Sequence, residues 1–355
     1  RVDRPILIHA VTKKGKGYSF AEKNPGKFHG IAPFDVATGK LIKKNEYKTY
    51  TEAFSEEMIR LSEKNDRMIG ITAAMEFGTG LNEFSKKYPN RFFDVGIAEQ
   101  HAVTFAAGLS KEGFIPVVAI YSSFLQRSYD QVLHDVCLTH RHVVLMIDRS
   151  GITGADGETH QGIFDLSYLS HIPGLTVMAP KNCEELKKML EFAVSYDGPV
   201  AIRYPRGEEN GTVSALPSAE VEYGRAEKIE DGTDVAIFAV GSVVDTGLSI
   251  LDKLKEDGIG ASLYNVRFVS PIDKDAILRE AARCKAVVTI EENVRRGGFG
   301  EAVADILEEA GVKTAFIGAS LDDSFIEHGK RTELLKLHGI DPEKIYDEIR
   351  RAIGK

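Results

Sequence analysis

The sequence predicts an α/β protein of two domains, each a mainly parallel sheet covered by helices, and three observations lead there. Short apolar runs alternate with amphipathic stretches from residue 49 to the end; the alternation breaks once, over the polar residues 207–217; and 355 residues suit two domains of the roughly 100–200 residues each that are usual. Disulfide staples are unnecessary at this size.

The elements follow in order. Residues 5–11 form an apolar run of the kind that makes a buried strand, with no helix or partner strand before it, so it reads as the last strand of a sheet whose other strands precede Arg1. Residues 12–48 are rich in Lys, Gly, Pro and Asn and read as a long loop, of the length that is usually functional or disordered. Thr49-Tyr-Thr-Glu52 is a capping-box pattern ahead of an amphipathic stretch over 53–64. Strands are then expected at 68–72, 92–95, 116–121, 143–147, 176–179 and 200–204, with helices at 99–111, 123–139 and 184–195. Beyond the break, strands are expected at 235–240, 261–266, 286–290 and 314–317, with helices at 245–257, 274–283, 300–309 and 342–353.

Composition narrows function. The net charge of −8, from 45 Lys plus Arg against 53 Asp plus Glu, argues against nucleic acid or an anionic membrane as partner and leaves room for a local basic pocket holding a small anion. Cys137, Cys183 and Cys284 share no short spacing, so neither a metal cluster nor a disulfide framework is expected and a reducing compartment fits. No apolar run approaches the ~18 residues of a membrane span, and no signal peptide is visible.

Ligands of open parallel sheets bind beyond the carboxyl ends of the strands, so polar residues just after an apolar run carry the most information. Three segments have that position. In Phe93-Asp-Val-Gly-Ile-Ala-Glu-Gln-His-Ala-Val103, Glu99 falls at a strand-to-helix junction, as a site carboxylate or as a charge complementing the helix dipole. In Tyr121-Ser-Ser-Phe-Leu-Gln-Arg-Ser-Tyr-Asp130, Phe124 and Arg127 share a helix face; they present a ring beside a guanidinium for a ligand, or Phe124 is core and Arg127 pairs with Asp130. The Gly-rich loop from Asp148 to Gly162 carries Arg149, Asp156 and His160, side chains that a simple turn does not need.

Read with Thr12-Lys-Lys-Gly-Lys-Gly-Tyr18, Phe28-His-Gly30, Arg203-Tyr-Pro-Arg-Gly207 and Gly297-Gly-Phe-Gly300, these segments resemble, in order and along the whole chain, the 1-deoxy-D-xylulose-5-phosphate synthases, thiamine-diphosphate enzymes of the transketolase superfamily. Transketolases and the β subunits of 2-oxoacid dehydrogenases share the architecture and a Glu like Glu99, but not residues 121–135 or 155–168 as written here.

The resemblance implies a thiamine-diphosphate pyrimidine-binding domain at 48–210, a linker at 211–223 and a transketolase C-terminal domain at 224–355. Residues 1–47 would be the remnant of an N-terminal diphosphate-binding domain with an active-site loop. The implied reaction decarboxylates pyruvate and joins the remaining two carbons to D-glyceraldehyde 3-phosphate, giving 1-deoxy-D-xylulose 5-phosphate and CO2 for isoprenoid, thiamine and pyridoxal synthesis. Carried over residue by residue, Glu99 would face N1′ of the aminopyrimidine, Phe124 would stack on it, and Arg127 and Tyr18 would border the cofactor, Tyr18 beside the diphosphate. His160, His29 and Asp156 would be catalytic, the histidines moving protons. Tyr121, Arg149 and Arg206 would bind the acceptor, with Asp156 near its phosphate end or hydroxyls.

The superfamily holds Mg2+ with Gly-Asp-Gly and an Asn ~25–30 residues later, since the dication bridges diphosphate oxygens. Ala155-Asp-Gly157 with Asn182 is not that motif: the first Gly is absent and Asn182 precedes Glu184 as a helix cap. The Mg2+ ligands are therefore expected outside this chain, in a domain before Arg1 that would be one partner, a second copy in a homodimer being another. By the same resemblance the setting is the bacterial cytoplasm, with a plastid left open because a transit peptide would lie upstream. Two alternatives are carried: a transketolase or a 2-oxoacid dehydrogenase β-like subunit, and a non-catalytic complementing subunit of a split enzyme. Gly297–Gly300 opens a helix and is read as structural rather than as an anion cradle.

Overall fold

The computed structural model describes residues 2–31, 33–42 and 46–355, which fall into two compact units, 1–46 and 47–355. The expectation attached to Arg1 lies outside the described residues. In the first unit, residues 5–11 form no strand, and Ile6, Leu7, Ile8 and Val11 are exposed, a correction to the buried strand expected there. A strand is held by its neighbour's backbone, and no described residue pairs with this run. The unit is organised by a short helix, Ser19–Lys23, and an antiparallel pair, β1 (Phe34–Asp35) and β2 (Lys40–Leu41). The ring of Tyr18 lies 5.5 Å from those of Phe20 and Phe28 and 5.8 Å from Phe34.

The second unit carries the α/β alternation. Its strands are β3 (Met68–Thr72), β4 (Phe92–Asp94), β5 (Ile115–Tyr121), β6 (Val144–Asp148), β7 (Thr176–Met178) and β8 (Val200–Arg203), then β9 (Glu227–Glu230), β10 (Val235–Val240), β11 (Ala261–Val266), β12 (Phe268–Ser270), β13 (Ala286–Val294) and β14 (Ala315–Leu321). A seven-stranded sheet runs β12-β7-β8-β6-β5-β3-β4 and a five-stranded sheet runs β14-β13-β10-β11-β9. All pairs are parallel except the two edge pairs, β12 with β7 and β11 with β9. The fold is therefore the expected one of mainly parallel sheets covered by helices.

Both faces of each sheet are covered, and the pleat explains how. Val117 and Ala119 of β5 and Val144 and Met146 of β6 pack with Phe54 and Met58 of helix Tyr50–Ser62 and with Leu186 and Met189 of helix Cys183–Ser195. The alternate residues Val118, Ile120, Leu145 and Ile147 face Ala102, Val103 and Ala106 of helix Glu99–Lys111. That second core continues into Phe238 and Val240 of β10 and Val287 of β13, so the two sheets share it. Burying each of the Val, Leu, Ile, Met and Phe side chains contributes about 1.5–3 kcal/mol, and the shared core sets one sheet against the other.

Local signals start the helices where expected. Thr49 Oγ1 accepts from the Glu52 amide at 3.1 Å, while the Glu52 carboxylate accepts from the Thr49 amide at 2.9 Å. Asn182 caps helix Cys183–Ser195, its Oδ1 accepting from the Glu185 amide at 2.9 Å.

One local expectation is corrected, one strand is extended and one strand is added. The continuous helix at 123–139 is instead an α-turn (Ser122–Leu125), a tight 3-10 turn (Gln126–Ser128), an α-turn (Tyr129–Gln131) and a wide π-turn (Val132–Cys137). Apolar spacing alone does not separate these ladders, each of which departs from the α-helix by less than a residue per turn. Strand β13 runs on through Glu291, Glu292 and Asn293, polar residues that argue against a buried strand until their partners are seen. The Glu291 carboxylate accepts from the Phe299 and Gly300 amides at 2.7 Å, Glu292 accepts from the Ile152 amide, and Asn293 donates to Ser167. Strand β12, unexpected from sequence, leaves the C-terminal half of the chain and pairs antiparallel with β7. Among the described residues, no helix is long and apolar enough to cross a membrane.

Candidate active site

Parallel strands β3, β4, β5, β6 and β8 end together, and the residues that follow them converge. Glu99 is the first residue of its helix, beyond β4, and is 1% exposed. Across 28 positions, Arg127 donates through Nη1 to Glu99 Oε1 at 2.6 Å. The alternative pairing of Arg127 with Asp130 is not formed. Glu99 Oε2 accepts no hydrogen bond among the described residues, so a buried carboxylate keeps one oxygen for a ligand.

The Arg127 guanidinium lies 5.1 Å from the centroid of Phe124, whose ring is stacked on Tyr121 at 5.7 Å and met edge-on by His160 at 5.2 Å. Phe124 is partly buried, with an aromatic face beside the carboxylate. The hydroxyls of Ser122 and Ser123 are buried without partners on the same turn. Tyr121 closes β5 opposite Asp148, the last residue of β6. Burial pushes the Tyr121 hydroxyl up to about 12.

Arg149 follows with φ +63, a left-handed conformation rare for a residue with a Cβ. Its guanidinium lies 3.8 Å from the Tyr121 ring centroid, donates to the Gly78 carbonyl at 2.8 Å and approaches Asp148 at 3.2 Å. Asp148 is fully buried; burial raises its pKa, while Arg149 and a 2.8 Å hydrogen bond from Thr51 oppose the rise. Asp156 bridges two guanidiniums, accepting from Arg206 Nη1 at 2.6 Å and lying 3.7 Å from Arg149 Nε.

Eight of the ten side chains singled out in the sequence thus form one chain of contacts: Glu99, Arg127, Phe124, Tyr121, Arg149, Asp156 and Arg206, with His160 against Phe124. Tyr18 and His29 belong to the first unit, where the Tyr18 hydroxyl donates to the Val36 carbonyl at 2.8 Å and His29 is exposed. Asp148, Thr51 and Gly78 build the same site without having been singled out. A carboxylate ending an apolar run was a readable signal for Asp148. Gly78 had none: a Cβ there would lie 1.6 Å from the Tyr121 hydroxyl, a clash that only the assembled sheet reveals.

A buried acid with a free oxygen beside an aromatic face suits a flat, hydrogen-bonding heterocycle, so the residues fit the aminopyrimidine of thiamine diphosphate. For a metal the described residues offer no group of three or more His, Cys, Asp or Glu, and no metal ligand is assigned.

Comparison with known proteins identifies the family. Residues 46–210 match the transketolase pyrimidine-binding domain family and residues 224–345 the transketolase C-terminal domain family. The chain is similar to a 1-deoxy-D-xylulose-5-phosphate synthase of Lachnoclostridium phytofermentans, 51% identical over all of this chain and 57% of the relative. It is also similar to one of Pelotomaculum thermopropionicum, 52% identical over 96% of this chain and 54% of the relative. The chain spans about half the length of these curated relatives. A solved structure described as a split gene transketolase, inactive beta4 tetramer, superposes with a TM-score of 0.77 at 28% identity, covering 86% of this chain and 98% of its own. With a buried Glu99 at the strand ends, both domain families matched in order and half of its residues shared with these synthases, the chain belongs to the transketolase superfamily, among the relatives of 1-deoxy-D-xylulose-5-phosphate synthase.

Proposed function

We propose that this chain supplies the pyrimidine side of a thiamine-diphosphate site that decarboxylates pyruvate and joins the remaining two carbons to D-glyceraldehyde 3-phosphate. The observation that carries the reading is the buried Glu99 carboxylate, held at one oxygen by Arg127 and open at the other beside Phe124. When bound, thiamine diphosphate would supply the carbon nucleophile and the electron sink for the pair released with CO2. Glu99 holds a proton against N1′ of the aminopyrimidine, Arg127 fixes the orientation of that carboxyl, and Phe124 offers its face to the ring.

The other end of the contact chain suits the acceptor. Arg149 and Arg206 already converge on one carboxylate, Asp156, and a phosphate competing for those guanidiniums would find two forks aimed at it. Tyr121, protonated at neutral pH, can donate to an acceptor oxygen. His160, against Phe124, can move a proton at the donor's carbonyl oxygen; the roles of His29 in the proton relay and of Tyr18 at the diphosphate border rest on the family resemblance alone. Domain limits of 48–210 and 224–355, a homodimer and Mg2+ held by residues outside this chain belong to the same reading.

Product analysis of the source polypeptide with pyruvate and glyceraldehyde 3-phosphate tests it, deoxyxylulose phosphate and CO2 being expected. Ketol transfer from a sugar phosphate without that product would overturn the choice of reaction. The likeness to the split-gene transketolase chain supports a second reading, a subunit that completes a site with a separate diphosphate-binding chain. On either reading the chain alone binds thiamine diphosphate weakly and gains little from Mg2+ in calorimetry; tight Mg2+-dependent binding would count against both.

A further inference from the structure

The loop between β6 and residue 162 carries Arg149, Asp156 and His160, and it closes where Gly151 and Gly162 exchange backbone hydrogen bonds of 2.6 and 2.8 Å. Within that closure the loop leans on the C-terminal sheet. The buried Ile152 amide donates to Glu292 Oε1 at 2.6 Å. Gln161 Oε1 accepts from the Thr153 amide at 2.8 Å, and Gln161 Nε2 donates to the Glu327 carbonyl at 3.1 Å. The Gly329 amide lies 3.4 Å from the Gly154 carbonyl.

Close approach is built in. A Cβ on Gly151 would lie 2.4 Å from the Glu292 carboxyl carbon, and one on Gly154 would lie 2.7 Å from the Gly329 carbonyl oxygen. Glu292, 1% exposed, is held in turn by Arg331 through Nη2 at 2.5 Å and Nε at 3.2 Å, and by the Ser242 hydroxyl at 3.2 Å.

We propose that Glu292, braced by Arg331, is a positioning residue for the phosphorylated acceptor: it clamps the loop so that Asp156 meets Arg206 and aligns the two guanidiniums. The proposal rests on the reading of Arg149, Asp156 and Arg206 as the acceptor end. The site is divided between elements. Glu99, Phe124, Arg127 and Arg206 lie outside the loop and Arg149, Asp156 and His160 on it, so a loosened loop displaces the acceptor end and the His160 imidazole while Glu99, Arg127 and the Phe124 ring stay in place. A glycine-rich loop without an outside anchor opens readily, and binding sites need their groups held to within about 0.5 Å.

Amide hydrogen exchange on the chain is the first test. In Glu292→Ala, exchange over 150–162 should rise about tenfold or more, the cost of one buried hydrogen bond, while β5 and helix Glu99–Lys111 keep their protection. Glu292→Gln, which still offers an oxygen to the Ile152 amide, should restore most of it. Should Glu292→Ala fail to fold, Gly154→Ala, which pushes the loop from residue 329, should show the same selective rise. Unchanged loop exchange, or a rise spread evenly over 47–355, overturns the clamp. In a preparation that turns over, the same variants should raise the KM for glyceraldehyde 3-phosphate about tenfold and that for pyruvate less than about twofold. Equal rises overturn the positioning role; no product from the unaltered protein counts against the proposed reaction and leaves the exchange result standing.

Discussion

Arg127 reaches back 28 residues to place Nη1 2.6 Å from the carboxylate of Glu99, at the head of another helix. The carboxylate is almost wholly buried and the guanidinium half-exposed, so Arg127 connects a charge in the interior with the open end of the sheet. The pair gives Glu99 a fixed orientation and keeps its second oxygen free.

Removing that partner leaves a carboxylate with no cation to offset its burial. Arg127→Ala is expected to lower stability by about 1–3 kcal/mol, the lower end being favoured because the guanidinium is half in water. Urea denaturation of Arg127→Ala, Glu99→Gln and the double variant checks it: the double variant should recover part of the loss, and strict additivity would mean the two residues do not interact.

Glu99→Gln keeps size and polarity but cannot hold and release a proton at the aminopyrimidine. Hydrogen–deuterium exchange at C2 of thiamine diphosphate, followed by NMR on the source polypeptide, should slow by about 100-fold or more. Rapid exchange in the variant would remove Glu99 from its assigned role.

Arg149 combines a contact over the Tyr121 ring with hydrogen bonding to Gly78 and approaches to Asp148 and Asp156. Lysine cannot reproduce a planar fork that stacks and bonds at once. Arg149→Lys is expected to raise the KM for the phosphorylated acceptor about 10- to 100-fold with little change for pyruvate. A matching loss for both substrates would mean the residue supports the fold more than the acceptor.

Burial raises the Glu291 carboxyl from 4.5 to about 7, opposed by the amides of Gly300 and Phe299. The folded state then holds this proton more tightly than the unfolded chain, so its contribution to stability falls as pH rises from about 4.5 to about 7 and is level outside that window. Glu291→Gln should flatten the stability–pH curve over that range by up to about 1.4 kcal/mol per pH unit relative to the unaltered chain, measured by denaturant titration. Superimposable slopes would show that Glu291 is ionised at an ordinary pKa.

Asn182 accepts the Glu185 amide and donates to the Val213 carbonyl at 2.9 Å. Asn182→Ala should cost about 1–2 kcal/mol as a lost cap and leave Mg2+-dependent cofactor binding by the source polypeptide unaltered. A loss of Mg2+ dependence would revive the rejected metal motif.

Local elements were legible because their causes are local. The apolar runs at Met68–Thr72, Val235–Val240 and Ala261–Val266 and the helix Glu99–Lys111 have the same limits in sequence and structure, since a strand buried on both faces or a helix with one covered stripe writes its period into neighbouring residues. The candidate residues were legible for a related reason: a parallel sheet delivers whatever follows its strands to one edge, so Glu99, Tyr121, Arg149 and Arg206 could be picked out before their distances were known. What the tertiary structure alone decided is the partner of each. Arg127 meets Glu99 and not Asp130, β12 crosses to the first sheet, β13 runs on through three polar residues, and Glu292 grips a loop 140 positions away. Each of these is settled by strand order and by the need to satisfy every buried charge and amide, conditions that join residues far apart in the chain and leave no periodic mark in it.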